Sequence, residues 1–305
     1  MDILAATTNA KPQYRVILAS PALPLETAEH TQLEIGFGNG EYTVQYAEAH
    51  PDVMFYGVEI SQACVLKCAR RAAGLSNLRI INTDARYMLR ELFRDEVLEH
   101  IIMQFPCPWS SNKQAHRRVT AKDFADGLAA VLKIGGQFEM LTDDEPYSLE
   151  VKETLGRHPA LCLAEYELNP SRTITTKYER KWLAEGKDIY RLLFTKNAAF
   201  TVERRTGQDM HIKINRAVSG EDIAALRNVE GKDSKTAFWK FGKCFTDGKI
   251  FLLETLTSDD EFGQKFYIHI AGDDGGSLVR LDKTADAFLT PAVRGALEDA
   301  AAKLS

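Results

Sequence analysis

The sequence predicts a doubly wound α/β domain with a mostly parallel, Rossmann-like sheet, followed by a smaller β-rich α+β domain. Three observations carry this. From Leu33 onward short apolar runs alternate with amphipathic stretches, the first run ends in the glycine-rich turn Gly36-Phe37-Gly38-Asn39-Gly40, and after Lys196 the alternation gives way to strand-like runs joined by turns. At 305 residues the chain is long for one core and comfortable for two. We therefore read residues 1–29 as an N-terminal extension, 30–200 as the α/β domain and 201–305 as the β-rich domain.

Taken in order, Gln32–Gly38 reads as a strand, Glu41–Ala49 as a helix, Val53–Ile60 as a strand and Gln62–Ala73 as a helix. Leu78–Ala85 is a strand, Ala85–Phe93 a helix, and Glu99–Trp109 a strand that runs into a proline-rich loop. Phe124–Leu132 is helical, Ile134–Asp144 is a turn and strand, and Tyr147–Gly156 is a helix. Strands alternating with helices of this length make right-handed βαβ crossovers, which demand a parallel sheet covered on both faces. Leu161–Tyr166 and Asp188–Thr195 read as later strands closing one edge. The polar stretch Asn169–Gly186 between them is read as irregular and hanging over one end of the sheet.

Beyond Lys196 the strand-like runs are Asp209–Ile214, Thr236–Phe245, Ile250–Leu256, Lys265–Ala271 and Ser277–Leu281, with turn signals at Thr246-Asp247-Gly248 and Asp274-Gly275-Gly276. A small helix is expected over Glu221–Arg227, and an Ala-rich helix from Pro291. Residues 201–305 hold 15 Lys and Arg against 17 Asp and Glu, so composition does not mark them as an RNA-binding module.

The 45% hydrophobic and 27% charged fractions belong to a chain that folds. No run of about 18 apolar residues occurs, and the first residues show neither an apolar signal core nor a basic leader, so no membrane span and a cytoplasmic address are expected. The odd number of cysteines, five, suits reduced thiols. Cys64 and Cys68 lie one helical turn apart without matching partners elsewhere, so no metal site is expected. A net charge of -5 argues against indiscriminate nucleic-acid binding but leaves room for local basic patches. Two are visible, at Lys113, His116, Arg117, Arg118 and Lys122, and at Arg172, Lys177, Arg180 and Lys181.

Three acids mark the ends of the first three strands of the α/β domain: Glu34, then Glu59 and Asp84 at intervals of 25 residues. Carboxyl ends of neighbouring strands converge at the topological switch point of such a sheet, so the three can line one crevice. An acid after the second strand suits ribose hydroxyls, Asp84 an adenine amino group, and Glu34 a positively charged end. Gly36 and Gly38 let a ligand approach the main chain. The turn lacks the Lys-Ser/Thr pair of a phosphate-binding loop, and acids repel a pyrophosphate. A cationic, phosphate-free cofactor therefore fits better than NAD or ATP, with helix capping by the same acids as the structural alternative.

The loop Phe105-Pro106-Cys107-Pro108-Trp109, followed by Ser110 to Arg118, joins these features to a family. With EIGFGNG, GVEI, GLSNLRIINTDA, LTDDEPY and TKYERKW, the chain resembles the bacterial tRNA (guanine-N7)-methyltransferase family over about residues 30–196. The resemblance implies S-adenosyl-L-methionine as cofactor, tRNA as partner and a variable-loop guanosine as target. It implies cofactor contacts at Glu34, Gly36, Gly38, Glu59 and Asp84, and substrate contacts at Ser111, Arg117, Arg118, Asp143, Thr176, Tyr178 and Glu179. Asp143 and position 107 would stand nearest the chemistry. Two departures accompany it: the family's loop acid is here Cys107, and the lysine expected four residues on is Ser111. Because guanine N7 already carries an in-plane lone pair, the transfer needs no base, and positioning and electrostatics carry the rate. The alternative left open is a tRNA-binding protein that keeps the fold without the activity. Either a monomer or a homodimer is compatible with the sequence.

Overall fold

The computed structural model describes residues 15–18, 23–109, 111–207, 210–233, 235–273, 275–282 and 287–305. Most of the N-terminal extension, Ser110 of the proline-rich loop, Asp209 at the expected start of a strand and Asp274 of the expected turn lie outside them. The chain divides into two compact units, Met1–Arg204 and Arg205–Ser305.

In the first unit the crossovers build a parallel sheet from β1 (Arg15–Leu18), β2 (Thr31–Ile35), β3 (Met54–Glu59), β4 (Leu78–Asn82), β5 (Leu98–Gln104) and β6 (Leu132–Thr142). Two antiparallel strands, β7 (Leu161–Leu168) and β8 (Tyr190–Lys196), close one edge, for a spatial order β1-β4-β3-β2-β5-β6-β8-β7. The chain runs outward from β2 to β4 and then returns to the other side of β2 as β5, so the switch point lies between β2 and β5. Strand ends there diverge, and a crevice opens above them.

The helices that make the crossovers are α1 (Glu41–Ala49), α2 (Gln62–Arg71), α3 (Ala85–Leu92), α4 (Lys122–Val131) and α5 (Glu145–Gly156). Val65, Cys68 and Ala69 of α2 pack with Val44 and Ala47 of α1 onto Phe55, Leu78 and Ile80 of the sheet. Burial of apolar side chains on this scale, at about 25 cal/mol per Å² removed from water, is the dominant force on each helix.

Two features depart from the sequence reading. The expected N-terminal extension contributes β1, whose backbone pairs in parallel with β4 from Arg15↔Arg79 to Leu18↔Asn82. The stretch 169–186, expected to be irregular, contains α6 (Lys177–Ala184). Its start was legible: Thr176 accepts from the Glu179 N–H while the Glu179 carboxylate accepts from the Thr176 N–H, a reciprocal cap.

The second unit is a six-stranded antiparallel sheet of β9 (His211–Ile214), β10 (Glu230–Lys232), β11 (Ala237–Thr246), β12 (Ile250–Asp259), β13 (Phe262–Asp273) and β14 (Gly276–Leu281), ordered β10-β11-β12-β13-β14-β9. Its helices are α7 (Gly220–Ala225) and α8 (Pro291–Leu304). Strand β10 is too short and polar for the sequence reading to have separated it from a loop. Alternation sends Trp239, Phe241, Leu253, Phe266, Ile268 and Val279 to one face, where they meet Val293, Ala296 and Leu297 of α8. The Trp239 indole lies flat enough on α8 that a Cβ at Gly295 would come within 2.5 Å of its ring, and its N–H donates to Asp299 at 2.9 Å.

The start of α8 is capped from a distance. Thr290 makes no side-chain cap of its own, and buried Asp259 at the end of β12 accepts from the Ala292 N–H at 2.8 Å and from the Thr290 hydroxyl. Asp259→Ala leaves both donors unsatisfied and is expected to lower stability by about 1–2 kcal/mol. Urea unfolding followed by the fluorescence of the three tryptophans, of which Trp239 belongs to this unit, checks this, and an unchanged midpoint would refute it.

Candidate active site

The glycine turn between β2 and α1 is left-handed at each of its glycines, with φ of 75° at Gly36, 56° at Gly38 and 74° at Gly40. Side chains at Gly36 and Gly38 would project into open space, whereas one at Gly40 would collide with Cys68 Sγ at 2.3 Å. The first two glycines therefore keep a ligand cradle clear, and the third seats the turn on α2.

The Glu59 carboxylate at the end of β3 fastens this turn. Its Oε2 accepts from the Gly38 N–H at 3.0 Å and its Oε1 from the Ser61 N–H at 2.8 Å. Asp84, after β4, accepts from the Arg86 N–H at 2.9 Å and pairs with the Arg86 guanidinium at 2.5 Å. Capping therefore holds for Asp84, which begins α3, and Arg86 engages both of its carboxylate oxygens at the cleft wall. Gly36, Glu59 and Asp84 line a cleft of about 190 Å³. Cys107, Trp109 and Tyr147 line its other side.

Glu34 is placed differently from the expectation. It does not line that cleft but lies beneath it, 2% exposed, where the Thr43 hydroxyl donates at 2.6 Å and the Gln104 amide at 3.0 Å. Arg172 then donates to Gln104 Oε1 at 2.9 Å and to Glu179 Oε2 at 2.7 Å, and its guanidinium covers the Tyr42 ring at 5.4 Å. A continuous polar chain thus joins Glu34 to the first turn of α6. Sequence reading missed Gln104, an isolated amide at a strand end, and counted Arg172 as part of a solvated basic patch.

Burial raises the Glu34 pKa from an ordinary 4.5 to about 7, against the lowering effect of the Thr43 and Gln104 hydrogen bonds and the Arg172 charge.

The proline-rich loop is held in an uncommon conformation. Phe105 and Trp109, which bracket Pro106, Cys107 and Pro108, have positive φ of 50° and 46°. Bulky residues persist there only when their surroundings overdetermine them. Arg118 supplies the constraint, donating to the carbonyls of Pro108 at 3.0 Å and Trp109 at 2.7 Å and pairing with Glu150 at 2.6 Å. Expected at phosphates, Arg118 is thus turned inward as a brace. Arg117 lies over the Trp109 ring at 4.9 Å and lines the cleft. Cys107 is exposed at the cleft wall, and Ser111 is exposed at the start of the 3₁₀ turn Asn112–Arg117.

Of the remaining expected substrate residues, Asp143 pairs with Lys187 at 2.7 Å beyond the end of β6. Thr176 and buried Glu179 cap α6, and Tyr178 stands 59% exposed on its outer side. In the second basic patch Arg180 pairs with Glu41 at 2.6 Å, leaving Lys177 exposed.

Glu34→Gln is expected to change the pH dependence of stability. A carboxyl with a raised native pKa costs nothing below its unfolded value near 4.5, and its penalty grows until pH passes about 7. The ligand-free parent protein should lose up to about 3 kcal/mol relative to the Gln variant between pH 4.5 and pH 8. Calorimetric melts at several pH values measure the difference, and parallel curves would refute it.

Comparison with known proteins agrees with this geometry. Residues 28–192 match the family described as "Putative methyltransferase". The tRNA (guanine-N(7)-)-methyltransferase of Thermotoga maritima is 34% identical over 91% of this chain and 92% of its own length. That of Aquifex aeolicus is 30% identical over 90% and 94%, and that of Thermus thermophilus 29% identical over 87% and 86%. Among the described residues no helix is long and apolar enough to cross a membrane. A methyltransferase fold, a glycine cradle walled by strand-end acids and near-full-length likeness to these enzymes together establish that the chain belongs to the tRNA (guanine-N(7)-)-methyltransferase family.

Proposed function

We propose that this protein transfers a methyl group from S-adenosyl-L-methionine to N7 of a variable-loop guanosine in tRNA. The observation that carries the reading is the cleft at the switch point, with Glu59 and Asp84 on one wall and the strained Cys107–Trp109 loop on the other. Its residues fit the cofactor. The open space above Gly36 and Gly38 admits a ligand against the main chain, and the acids favour a molecule without phosphates. When bound, S-adenosyl-L-methionine supplies a methyl group on a positively charged sulfur.

In this reading Glu59 keeps lone pairs for the ribose hydroxyls after accepting from Gly38 and Ser61, because a carboxylate has about four acceptor sites. Asp84 accepts from the adenine amino group once the Arg86 guanidinium, which engages both of its oxygens, gives way. Glu34 acts from beneath: a cation in the cleft lowers its pKa, so binding and ionisation favour each other. Trp109, backed by Arg117, offers a flat surface to a purine, and the polar chain through Gln104 and Arg172 holds α6 and Tyr178 in position.

Cys107 is compatible with the reaction because no proton leaves N7 before the methyl arrives. A positive charge develops on the purine, so the family's acid at this place would add electrostatic help. The carboxylates of the cleft bear that role here.

Incubation with an unmodified tRNA transcript and methyl-labelled cofactor, then reduction and aniline cleavage, is expected to map one N7-methylguanosine in the variable loop. Intact cofactor binding without turnover would overturn the reading. Cys107→Asp should raise kcat about fivefold, the effect of one added charge near 4 Å in a solvated cleft. No gain would show that position 107 is not part of the electrostatic surroundings.

A further inference from the structure

Among the described residues, one face of the C-terminal sheet has no helix packed on it. Alternation that buries Trp239, Phe241 and Leu253 against α8 turns the intervening residues to the opposite side of the sheet. Phe238, Phe245 and Leu256 stand there 44%, 51% and 43% exposed. The Phe245 and Tyr267 rings meet edge to face at 5.9 Å, which places both side chains on this outer face.

Charge is divided between the faces although composition is balanced. Residues 205–305 hold 14 Lys and Arg against 16 Asp and Glu. Among the strand residues whose side chains are described, the outer face carries Lys213, Lys232, Lys240, Lys265 and Arg280 against Glu230 and Glu254. Lys243 adds a further cation in the β-bulge beside Glu254. Many of the acids lie elsewhere, in the hairpins at Asp247 and Asp260–Glu261 and on α7 and α8.

Cross-strand register interleaves these groups. One row runs Phe245, Leu252, His269, Arg280, His211 across five strands, and a second brings Glu230, Lys240, Leu256 and Lys265 side by side. Lys240 pairs with Glu230 at 2.6 Å and Lys265 with Glu254 at 2.6 Å, which holds both ammonium groups on the surface while the cations keep their excess.

We propose that this outer face is a second RNA-docking surface, in which lysines and Arg280 meet phosphates and the exposed rings of Phe238 and Phe245 stack on unpaired bases. Cations that alternate with aromatic rings on a solvent-facing sheet supply both parts of such recognition, counterion release and base stacking. A protein partner would gain from the apolar residues, but the cationic excess selects a polyanion. The identity of that RNA as tRNA rests on the function proposed above.

Full-length protein carrying Lys232→Ser, Lys243→Ser and Arg280→Ser, of which the two lysines are exposed and Arg280 partly so, tests the surface by fluorescence anisotropy with an unmodified tRNA transcript at several salt concentrations. The expected result is a Kd raised about tenfold and a log–log salt slope reduced by about 2–3. Methyl transfer at saturating tRNA should keep kcat within about twofold, since no residue of the cleft has changed. Phe245→Leu keeps apolar bulk but removes the ring, and should weaken binding at least about fivefold.

Unchanged Kd and slope in the triple variant would overturn the proposal, as would an altered sedimentation coefficient with tRNA affinity intact, which would assign the face to protein contacts. Full affinity in Phe245→Leu would remove the stacking component. If the parent protein binds tRNA through this face but methylates none, the proposed activity fails while the docking surface stands. If it methylates tRNA and the triple variant binds equally well, only the surface fails.

Discussion

The hydrogen bond from Gln104 to Glu34 is the contact on which the catalytic half of the molecule turns. It spans β2 and β5, the pair of strands between which the chain reverses its order of addition, and so it sits at the floor of the crevice that the topology opens. A buried carboxyl carries a desolvation cost that only close donors offset. Thr43 and Gln104 provide them, and Gln104 in turn is oriented by Arg172. The requirement to satisfy one buried acid therefore fixes the start of α1, the end of β5 and the approach to α6 together.

The proline-rich loop shows the same logic with backbone strain in place of burial. Positive φ at Phe105 and Trp109 aims the segment between them at the cleft, and Arg118 maintains it through two carbonyls and Glu150. A residue type that resembles a phosphate ligand in sequence is here a structural brace, because a guanidinium with five donors can hold several acceptors in one plane. Arg117, one position earlier, remains at the cleft over the Trp109 ring. Chemical character alone cannot divide these roles between adjacent arginines.

Much of the fold was legible. The period of the apolar runs located the strands and helices around the glycine turn to within a few residues, because each parallel strand is buried on both faces and each crossover helix on one. Strand β1 was not legible, since an edge strand needs only one partner and leaves a weak pattern. Helix α6 was missed although Thr176 and Glu179 wrote its cap, because the helix is short and mostly exposed. In the site, Glu59 and Asp84 stood where spacing put them, while Glu34 moved beneath the cleft and Gln104 and Arg172 carried no local signature.

By itself the sequence determined the order of the elements, the glycine cradle and the family, because these depend on local periodicity and on residue types at short spacing. Tertiary structure decided which charges are free. It withdrew Arg118, Arg172 and Glu179 into internal pairs, and in the C-terminal unit it sorted a nearly neutral composition into a basic aromatic face and acidic turns. Charge pairing and facial segregation depend on which side chains meet across strands distant in sequence, and only the assembled sheet specifies that.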